Sequence, residues 1–216
     1  MPKSTFFNLT KDKTDKIIKV SIDEFMEYTY ENASINRIVE NAEIAKGSFY
    51  QYFEDKKDLY EYIIEEAQEK KKSYFVDTLN NQSNFDFFEA IDEVFLREIN
   101  FARELPKQAS LILDYNRSSL VKLKRETLTD TWIFRNVYEE LIIKGIDNKS
   151  LDSDIEIKLY VYLLASLNIS ILEYYIYEVS YDYSKALNYV SNVVKLLRNG
   201  VKENKRTKKS FEDRFY

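Results

Sequence analysis

Hydrophobic residues recur every three to four positions along most of the chain, the spacing of a helical face, and predict an all-α fold. The first such face predicts a helix over residues 11–28. It consists of Ile17, Ser21, Ile22, Phe25 and Tyr28. The polar residues 29–33 are predicted to form a link, and residues 1–10 a flexible arm.

Two short helices follow, joined by a tight turn. Ser34 is a residue type that caps helix N-termini, and the helix after it is predicted to end near Asn41. Residues 42–44 form the turn, and a second helix is predicted over residues 45–52. This geometry is typical of a helix-turn-helix, which places its second helix in the major groove of DNA.

Longer helices are predicted downstream. Asp55, with Asp58 three residues later, resembles a capping box, and the helix that it begins is predicted to extend to about Leu79. The remaining predicted helices cover residues 85–105, 106–115, 120–144, 152–179 and 184–202. Three Gly and two Pro in 216 residues favour long helices with few connections. We expect about nine helices, the first three of which form a small N-terminal domain.

The second helix of the motif is predicted to have a buried and an exposed face. Phe49, and Phe53 just beyond it, are expected in a three-helix core. The residues expected to point outward are Lys46, Ser48, Tyr50, Gln51 and Tyr52. Gly47 has no side chain, so the backbone could approach a duplex closely there.

Each of these residue types suits a particular DNA contact. The amide of Gln51 offers a donor and an acceptor together, which can pair with an adenine edge. Hydroxyl and ammonium groups donate to phosphate oxygens, and such contacts set register rather than sequence. Ser34 and Lys56 lie at the starts of helices, where free backbone N–H groups also attract phosphate. The predicted phosphate-contacting residues are Ser34, Lys46, Tyr50, Tyr52 and Lys56.

The amino-acid composition excludes most enzymatic mechanisms. The chain has no cysteine and no histidine, which excludes disulfides, thiolate or imidazole metal sites, and cysteine or histidine catalysis. Because no arrangement of carboxylates or lysines suggests other chemistry, we expect a non-enzyme without cofactor or metal. The formal net charge of −5 opposes DNA binding overall, whereas lysines concentrate within residues 1–19.

The segment SINRIVENAEIAKGSFYQYFEDKKDL, which begins at Ser34, resembles the DNA-binding region of the TetR family of bacterial transcriptional regulators. The resemblance covers about Thr10–Lys70, and its strongest element runs from Lys46 to Leu59. It implies that the five phosphate-contacting residues named above touch the DNA backbone, while Ser48 and Gln51 read bases. It also implies a homodimer on a double-stranded DNA operator. The remaining helices would form a ligand-binding and dimerisation domain.

Two residues depart from the family pattern. Glu43 stands where the family usually has Gly in the turn, and in a left-handed conformation it would cost on the order of 1 kcal/mol. Ala45 replaces the usual Ser or Thr and removes a side-chain cap worth about 1 kcal/mol. Both bear on the stability and angle of the second helix.

The larger domain is rich in apolar and aromatic residues that could line a cavity for a small apolar or aromatic effector. The alternative is that most of them are ordinary core. The candidate ligand-binding residues are Phe88, Phe95, Tyr115, Trp132, Arg135, Tyr138 and Tyr162. The helix over residues 155–179 is apolar on most of its circumference, and with the last helix it predicts a four-helix interface between two subunits.

The predicted organisation is a DNA-binding domain over residues 10–70 with its motif at about 33–52, a second domain over 71–204, and a flexible basic tail over 205–216. No secretory signal is evident, and the longest uncharged apolar-rich run is too short to cross a bilayer. We therefore expect a cytoplasmic protein without membrane contact. The functional prediction is a repressor released by its ligand. The alternative, motivated by the acidic balance and Glu43, is a helical protein-protein interaction module that has lost DNA binding.

Overall fold

The computed structural model describes residues 1–75, 86–117 and 129–200, with side chains described throughout except at residues 129–135. These ranges hold ten helices, nine of them seven residues or longer, and no strand, which confirms the all-α prediction. The helices are α1 Ser4–Phe7, α2 Lys11–Asn32, α3 Ile35–Asn41, α4 Lys46–Tyr52, α5 Lys56–Ser73, α6 Phe87–Glu104, α7 Pro106–Arg117, α8 Thr129–Asp147, α9 Ile157–Glu173 and α10 Tyr183–Asn199. The predicted tail lies outside the described residues.

The first ten residues are ordered against the rest of the chain, so the prediction of a flexible arm was wrong. Helix α1 forms there, and Phe6 is fully buried. The predicted link after α2 also differs, because the helix continues to Asn32 across a kink at Thr29, whose φ is 58°. An apolar residue in a polar stretch carried no periodic signal, which is why sequence reasoning left Phe6 out of the core.

Helix boundaries in the second half shift where capping differs from the prediction. Asp182, rather than Ser184, caps α10, with its carboxylate accepting from the backbone N–H of Lys185 at 3.1 Å. Helix α8 continues past Gly145 instead of ending there. A Cβ at Gly145 would lie 2.9 Å from Leu151 Cδ1, so this glycine permits close packing rather than a stop.

Buried residues form two cores. The smaller core is built from α1–α4 and the first half of α5, and aromatic rings dominate it. The larger core lies among α6–α10 and the end of α5. Two helices serve both: α5 contributes Leu59 to the smaller core and Ala67 to the larger, while α7 contributes Leu111 to the smaller and Ile112 to the larger.

A buried polar cluster crosses the larger core. The ammonium of Lys71 lies 2.9 Å from Glu98 Oε1, and both side chains are almost fully buried. The amide of Asn168 donates to Glu98 Oε2 at 3.0 Å. This cluster joins α5, α6 and α9 at one point.

Helix α9 continues through a π-helical turn, Tyr174–Glu178, to give one helical segment. Within the described part of the chain, Ile157–Glu178 is the one helix long and apolar enough to span a bilayer by length and composition. Core helices of soluble proteins meet the same criteria. Only 39% of its apolar window is buried, which leaves an apolar face uncovered within one subunit.

Candidate nucleic-acid interface

The turn between α3 and α4 requires the backbone conformation that glycine favours. Glu43 has φ 55°, in the left-handed region. Its N–H donates to Glu40 O at 3.1 Å, and the N–H of Ile44 donates to Val39 O at 3.0 Å. The Glu43 carboxylate is exposed and pairs with Lys16 at 2.7 Å, and the hydrogen bond from Lys16 lowers its pKa. The turn therefore forms with Glu43 in place of glycine, but the left-handed backbone of Glu43 is strained.

The start of α4 is open to solvent. Ala45 occupies the N-cap position and provides no side-chain hydrogen bond, while the N–H of Ser48 donates to Ala45 O at 2.9 Å. Lys46 and Gly47 are exposed in the first turn, and Ser48 is half-buried. Free N–H groups and an ammonium thus face outward at the end expected to approach DNA.

Gly47 has no packing role in the protein. A Cβ built there would have no atom within 4 Å, and its φ is not positive. Because glycine weakens a helix by ~1 kcal/mol relative to alanine, its presence is unfavourable for folding alone. The predicted close approach of a duplex to the backbone at Gly47 stays a prediction.

The remaining face of α4 divides differently from the prediction. Phe49 and Phe53 are fully buried, as expected, and Tyr50 and Gln51 are exposed, with Tyr50 at 44%. Tyr52 is only 6% exposed and packs against Phe6, so its predicted outward orientation was wrong. The ordered N-terminal segment covers it, which the sequence pattern did not reveal.

Lys56 is engaged within the protein. Its ammonium donates to the carbonyls of Glu31 and Ala33, each at 3.0 Å, and lies 4.8 Å from the ring centroid of Tyr30. These contacts tie the start of α5 to the end of α2. A phosphate contact by Lys56 stays a prediction, and it would compete with these bonds.

Ser34 lies at the N-cap of α3, but its side chain makes no capping bond. Its N–H instead donates to Glu24 Oε1 at 2.7 Å. Arg37 donates to the same oxygen from Nη2 at 2.6 Å, and its guanidinium stacks 3.9 Å from the Tyr28 ring centroid. Sequence reasoning missed Glu24, because a carboxylate on a helix face gives no local sign of capping the next helix.

The other end of α4 is closed by the N-terminal segment. The N–H of Lys3 donates to Tyr52 O and its ammonium to Tyr50 O, both at 2.8 Å. The hydroxyl of Thr5 donates to Gln51 O. These residues were not predicted as part of the interface, and no local pattern links positions so far apart in sequence.

The five candidate ligand-binding residues whose side chains the structure describes lie in different surroundings. Phe95 and Tyr138 are fully buried in the larger core. Tyr115 packs into the smaller core, 6.0 Å from the Tyr60 ring, which corrects its predicted place in the larger domain. Phe88 is half-buried and packs against the larger core, with the Arg198 guanidinium 5.0 Å from its ring centroid.

Tyr162 also differs from the prediction, because it is 63% exposed. It borders a surface pocket of about 350 Å³ together with Glu139, Ile157, Lys158 and Val161. The side chains of Trp132 and Arg135 lie outside the described part of the structure. Among the described residues, Phe95 and Tyr138 belong to the buried core and Tyr162 borders a surface pocket, so a single ligand site that includes all seven residues stays a prediction.

Comparisons with known proteins agree with this geometry. Residues 17–63 match the family described as bacterial regulatory proteins, tetR family. A TetR family transcriptional regulator from Chloroflexus aurantiacus J-10-FL is 28% identical, with a TM-score of 0.71 over 94% of this chain and 100% of that one. No curated protein matches the chain.

More distant structures share the fold. The transcriptional regulator FadR from Bacillus subtilis, solved with stearoyl-CoA, is 16% identical, with a TM-score of 0.73 over 87% of this chain and 99% of that one. A gamma-butyrolactone receptor, an ArpA-like protein, is 17% identical, with a TM-score of 0.61 over 87% and 97%.

The exposed second helix, the left-handed turn and the three-helix core define a helix-turn-helix DNA-binding protein. Residues 17–63 are a TetR-family helix-turn-helix domain, and the described fold is that of TetR-family transcriptional regulators. The resemblance read from the residues that begin at Ser34 is thus confirmed.

Proposed function

We propose that the protein is a homodimeric repressor that binds a specific DNA operator through α4 and releases it when a small apolar or aromatic ligand binds. The main support for the proposed DNA contact is the exposure of the first turn of α4. Lys46 and Gly47 lie exposed there, and the glycine has no packing reason. Gln51 is exposed one helical turn away and is the candidate for base contact.

The proposed phosphate contacts form a smaller set than the sequence suggested. Lys46 and Tyr50 are exposed on α4 and available to phosphate oxygens. Tyr52 and Lys56 are engaged within the protein, and Ser34 is half-buried at the start of α3. We therefore assign the main phosphate contacts to Lys46 and Tyr50.

The dimer proposal follows from the uncovered face of α9. Leu159 and Leu163 lie one turn apart on α9, each nearly half exposed, with Tyr162 beside them. Leu196 on α10 is also half exposed. Apolar stripes on two long helices fit an isologous four-helix contact, which would set two recognition helices about one DNA turn apart, ~34–36 Å.

The proposed ligand is a small apolar or aromatic molecule. The larger core is apolar and aromatic, and the FadR neighbour was solved with stearoyl-CoA, an apolar chain on a charged carrier. Stearoyl-CoA and an uncharged aromatic such as naphthalene are suitable probes. Either should weaken operator binding by tens of fold if coupling is of the usual 1–3 kcal/mol.

Selection of bound sequences from a random DNA pool tests the function. We expect a two-fold symmetric consensus, and then fluorescence anisotropy gives the affinity of each variant for it. Gln51→Ala should relax preference at one base pair per half-site, whereas Lys46→Ala should weaken all sequences alike and reduce the salt dependence. Lys72→Ala, on the exposed face of α5 far from α4, is the matched control and should bind normally.

A folded protein that enriches no sequence even at low salt would contradict the regulator proposal and favour the interaction module. Light scattering tests the dimer separately. Leu163→Glu should give a monomer, and Lys72→Ala should not. A wild-type monomer at micromolar concentration would overturn the dimer, whatever the DNA result.

A further inference from the structure

Helix α4 ends with all four of its last carbonyls bonded. Phe49 O accepts from the N–H of Phe53 at 2.8 Å, within the local chain. The other three are bonded by two residues of the N-terminal segment, the N–H and ammonium of Lys3 and the hydroxyl of Thr5. Helix ends usually leave such carbonyls to water or to their own C-terminal turn. Here a segment some 46 residues away supplies the cap.

Phe6 anchors this segment. Its ring is fully buried, with centroids 4.8 Å from Phe53, 5.6 Å from Tyr62 and 6.1 Å from Tyr52. The anchor places the donors of Lys3 and Thr5 over the end of α4. The Lys3 ammonium also carries positive charge to the C-terminal end of the helix dipole, a favourable position.

Helix α4 has little stability of its own. It has seven residues, a glycine in its first turn, no side-chain N-cap at Ala45, and the left-handed Glu43 just before it. Isolated helices of this length do not form in water, so tertiary contacts must hold it. Its buried face provides part of that support through Phe49, and the N-terminal segment provides the rest at the end that carries Tyr50 and Gln51.

We propose that residues 3–6, the N-terminal brace, are positioning residues for sequence recognition. This inference rests on the proposed DNA-binding function. The brace fixes the backbone of Tyr50 and Gln51, and so it sets where their side chains meet the bases and phosphates. Specific binding needs that geometry, whereas non-specific binding needs only positive charge near the backbone.

Thr5→Val tests the brace without changing charge. It removes the hydroxyl that donates to Gln51 O and keeps the side-chain shape. We expect about threefold to tenfold weaker binding to the selected operator, the range for losing one hydrogen bond, and unchanged binding to random DNA. The salt dependence should stay at the wild-type slope. Lys3→Met should lower the ratio of specific to random binding further, because it removes a charged donor from Tyr50 O.

Lys11→Met is the matched control, since Lys11 is an exposed lysine at the start of α2. If Lys11 touches phosphate, its removal weakens all sequences equally and lowers the salt slope by about one. In either case the ratio of specific to random binding should not change.

Amide hydrogen exchange of the full-length protein supplies a readout that needs no DNA. A peptide covering residues 45–53 should exchange several-fold faster in Thr5→Val and Lys3→Met than in wild type, with Lys11→Met at the wild-type rate. Wild-type exchange and a wild-type specificity ratio in both brace variants would overturn the proposal. So would a Lys3→Met effect that is equal on all sequences, because that marks a phosphate contact.

The two proposals fail in different ways. If the wild-type protein enriches no DNA sequence, the proposed regulator function is contradicted, and the brace cannot serve recognition whatever the exchange result. If the wild type binds specifically but the brace variants have the same specificity ratio and exchange rate, only the proposal for the brace is contradicted.

Discussion

Each of the two cores contains one buried glutamate bonded to a cation, and the two pairs differ in their access to water. Glu24, in the smaller core, pairs with Arg37, whose side chain is 40% exposed. Glu98, in the larger core, pairs with Lys71, which is buried with it. Water can replace an exposed partner but not a buried one, so the same pairing has unequal energetic weight. We therefore expect the smaller core to tolerate loss of its cation better than the larger core does.

The largest expected effect is at the buried pair. Lys71→Met leaves the Glu98 carboxylate without its cation, and we expect the free energy of unfolding to fall by about 3–5 kcal/mol. Lys72→Met, the exposed neighbour on α5, should change it by less than ~1 kcal/mol. Urea denaturation measures both. Glu98→Gln in the Lys71→Met background removes the unpaired charge and keeps an acceptor for Asn168, so it should restore much of the loss; no recovery would contradict the charge argument.

A smaller loss is expected at the exposed pair. Arg37→Met removes the guanidinium from Glu24, but water can reach the vacated position, and Ser34 N–H still donates. We expect the free energy of unfolding to fall, but by less than in Lys71→Met, because water hydrates the Glu24 carboxylate once the exposed guanidinium is removed. Arg37→Lys should recover only part of the lost stability, because an ammonium cannot form the bidentate hydrogen bonds of a guanidinium. A loss equal to that of Lys71→Met would remove the contrast between the cores.

The strained turn should yield a gain. Glu43→Gly relieves the left-handed φ at the cost of an exposed ion pair with Lys16, and we expect the protein to be stabilised by roughly 0.5–1 kcal/mol. Glu40→Gly, three residues earlier inside α3, should instead destabilise it by about 1 kcal/mol. Thermal melts of the two variants should therefore shift in opposite directions. A loss in both would show that the Lys16 pair outweighs the strain.

Gly47→Ala should change the stability of the protein and its affinity for DNA in opposite directions. The added Cβ meets nothing in the free protein, so stability should rise by up to ~1 kcal/mol. Operator affinity should fall at the same time, since the backbone there is expected against the duplex. Melting and anisotropy on one sample measure both. A variant that is more stable and binds equally well would place the DNA elsewhere.

The smallest effect is a pH dependence at the turn. The Lys16 hydrogen bond lowers the pKa of Glu43, so the pair contributes stability above the unfolded-state pKa and loses it as pH falls through the folded-state pKa. Carboxyl NMR titration should show a Glu43 pKa below the usual range of a glutamate in wild type. In Lys16→Met the pKa should rise toward that usual range. An unchanged titration would mean that the pair does not persist in solution.

What the sequence predicted well is local. The turn at residues 42–44, the N-cap position of Ala45 and the burial of Phe49 follow from spacing and residue type over a few positions. The errors involve distant contacts. Tyr52 is covered by Phe6, and Lys56 reaches carbonyls at the end of α2. No periodic pattern records such pairings.

The larger domain was harder for the same reason. The helical periodicity predicted which aromatic residues lie on the apolar face of each helix. It did not predict which neighbouring helix that face contacts. Packing places Tyr115 with the smaller core and leaves Tyr162 at the surface. Predicting one shared cavity required the relative rotation of several helices, which arises from the packing of all side chains together.

Because α5 is continuous and contributes to both cores, a tilt of this helix would displace residues in both of them. Lys56 near its start and Lys71 near its end are about 22 Å apart at 1.5 Å per residue. A rigid tilt of about 5° around the Lys71 end would therefore carry the Lys56 end through roughly 2 Å. In the proposed dimer, both copies of α5 would tilt together, and the separation of the two α4 helices would change by up to roughly twice that distance. Any tilt of α5 about the buried charge pair would therefore cause its largest displacement at the start of the helix, beside the helix-turn-helix.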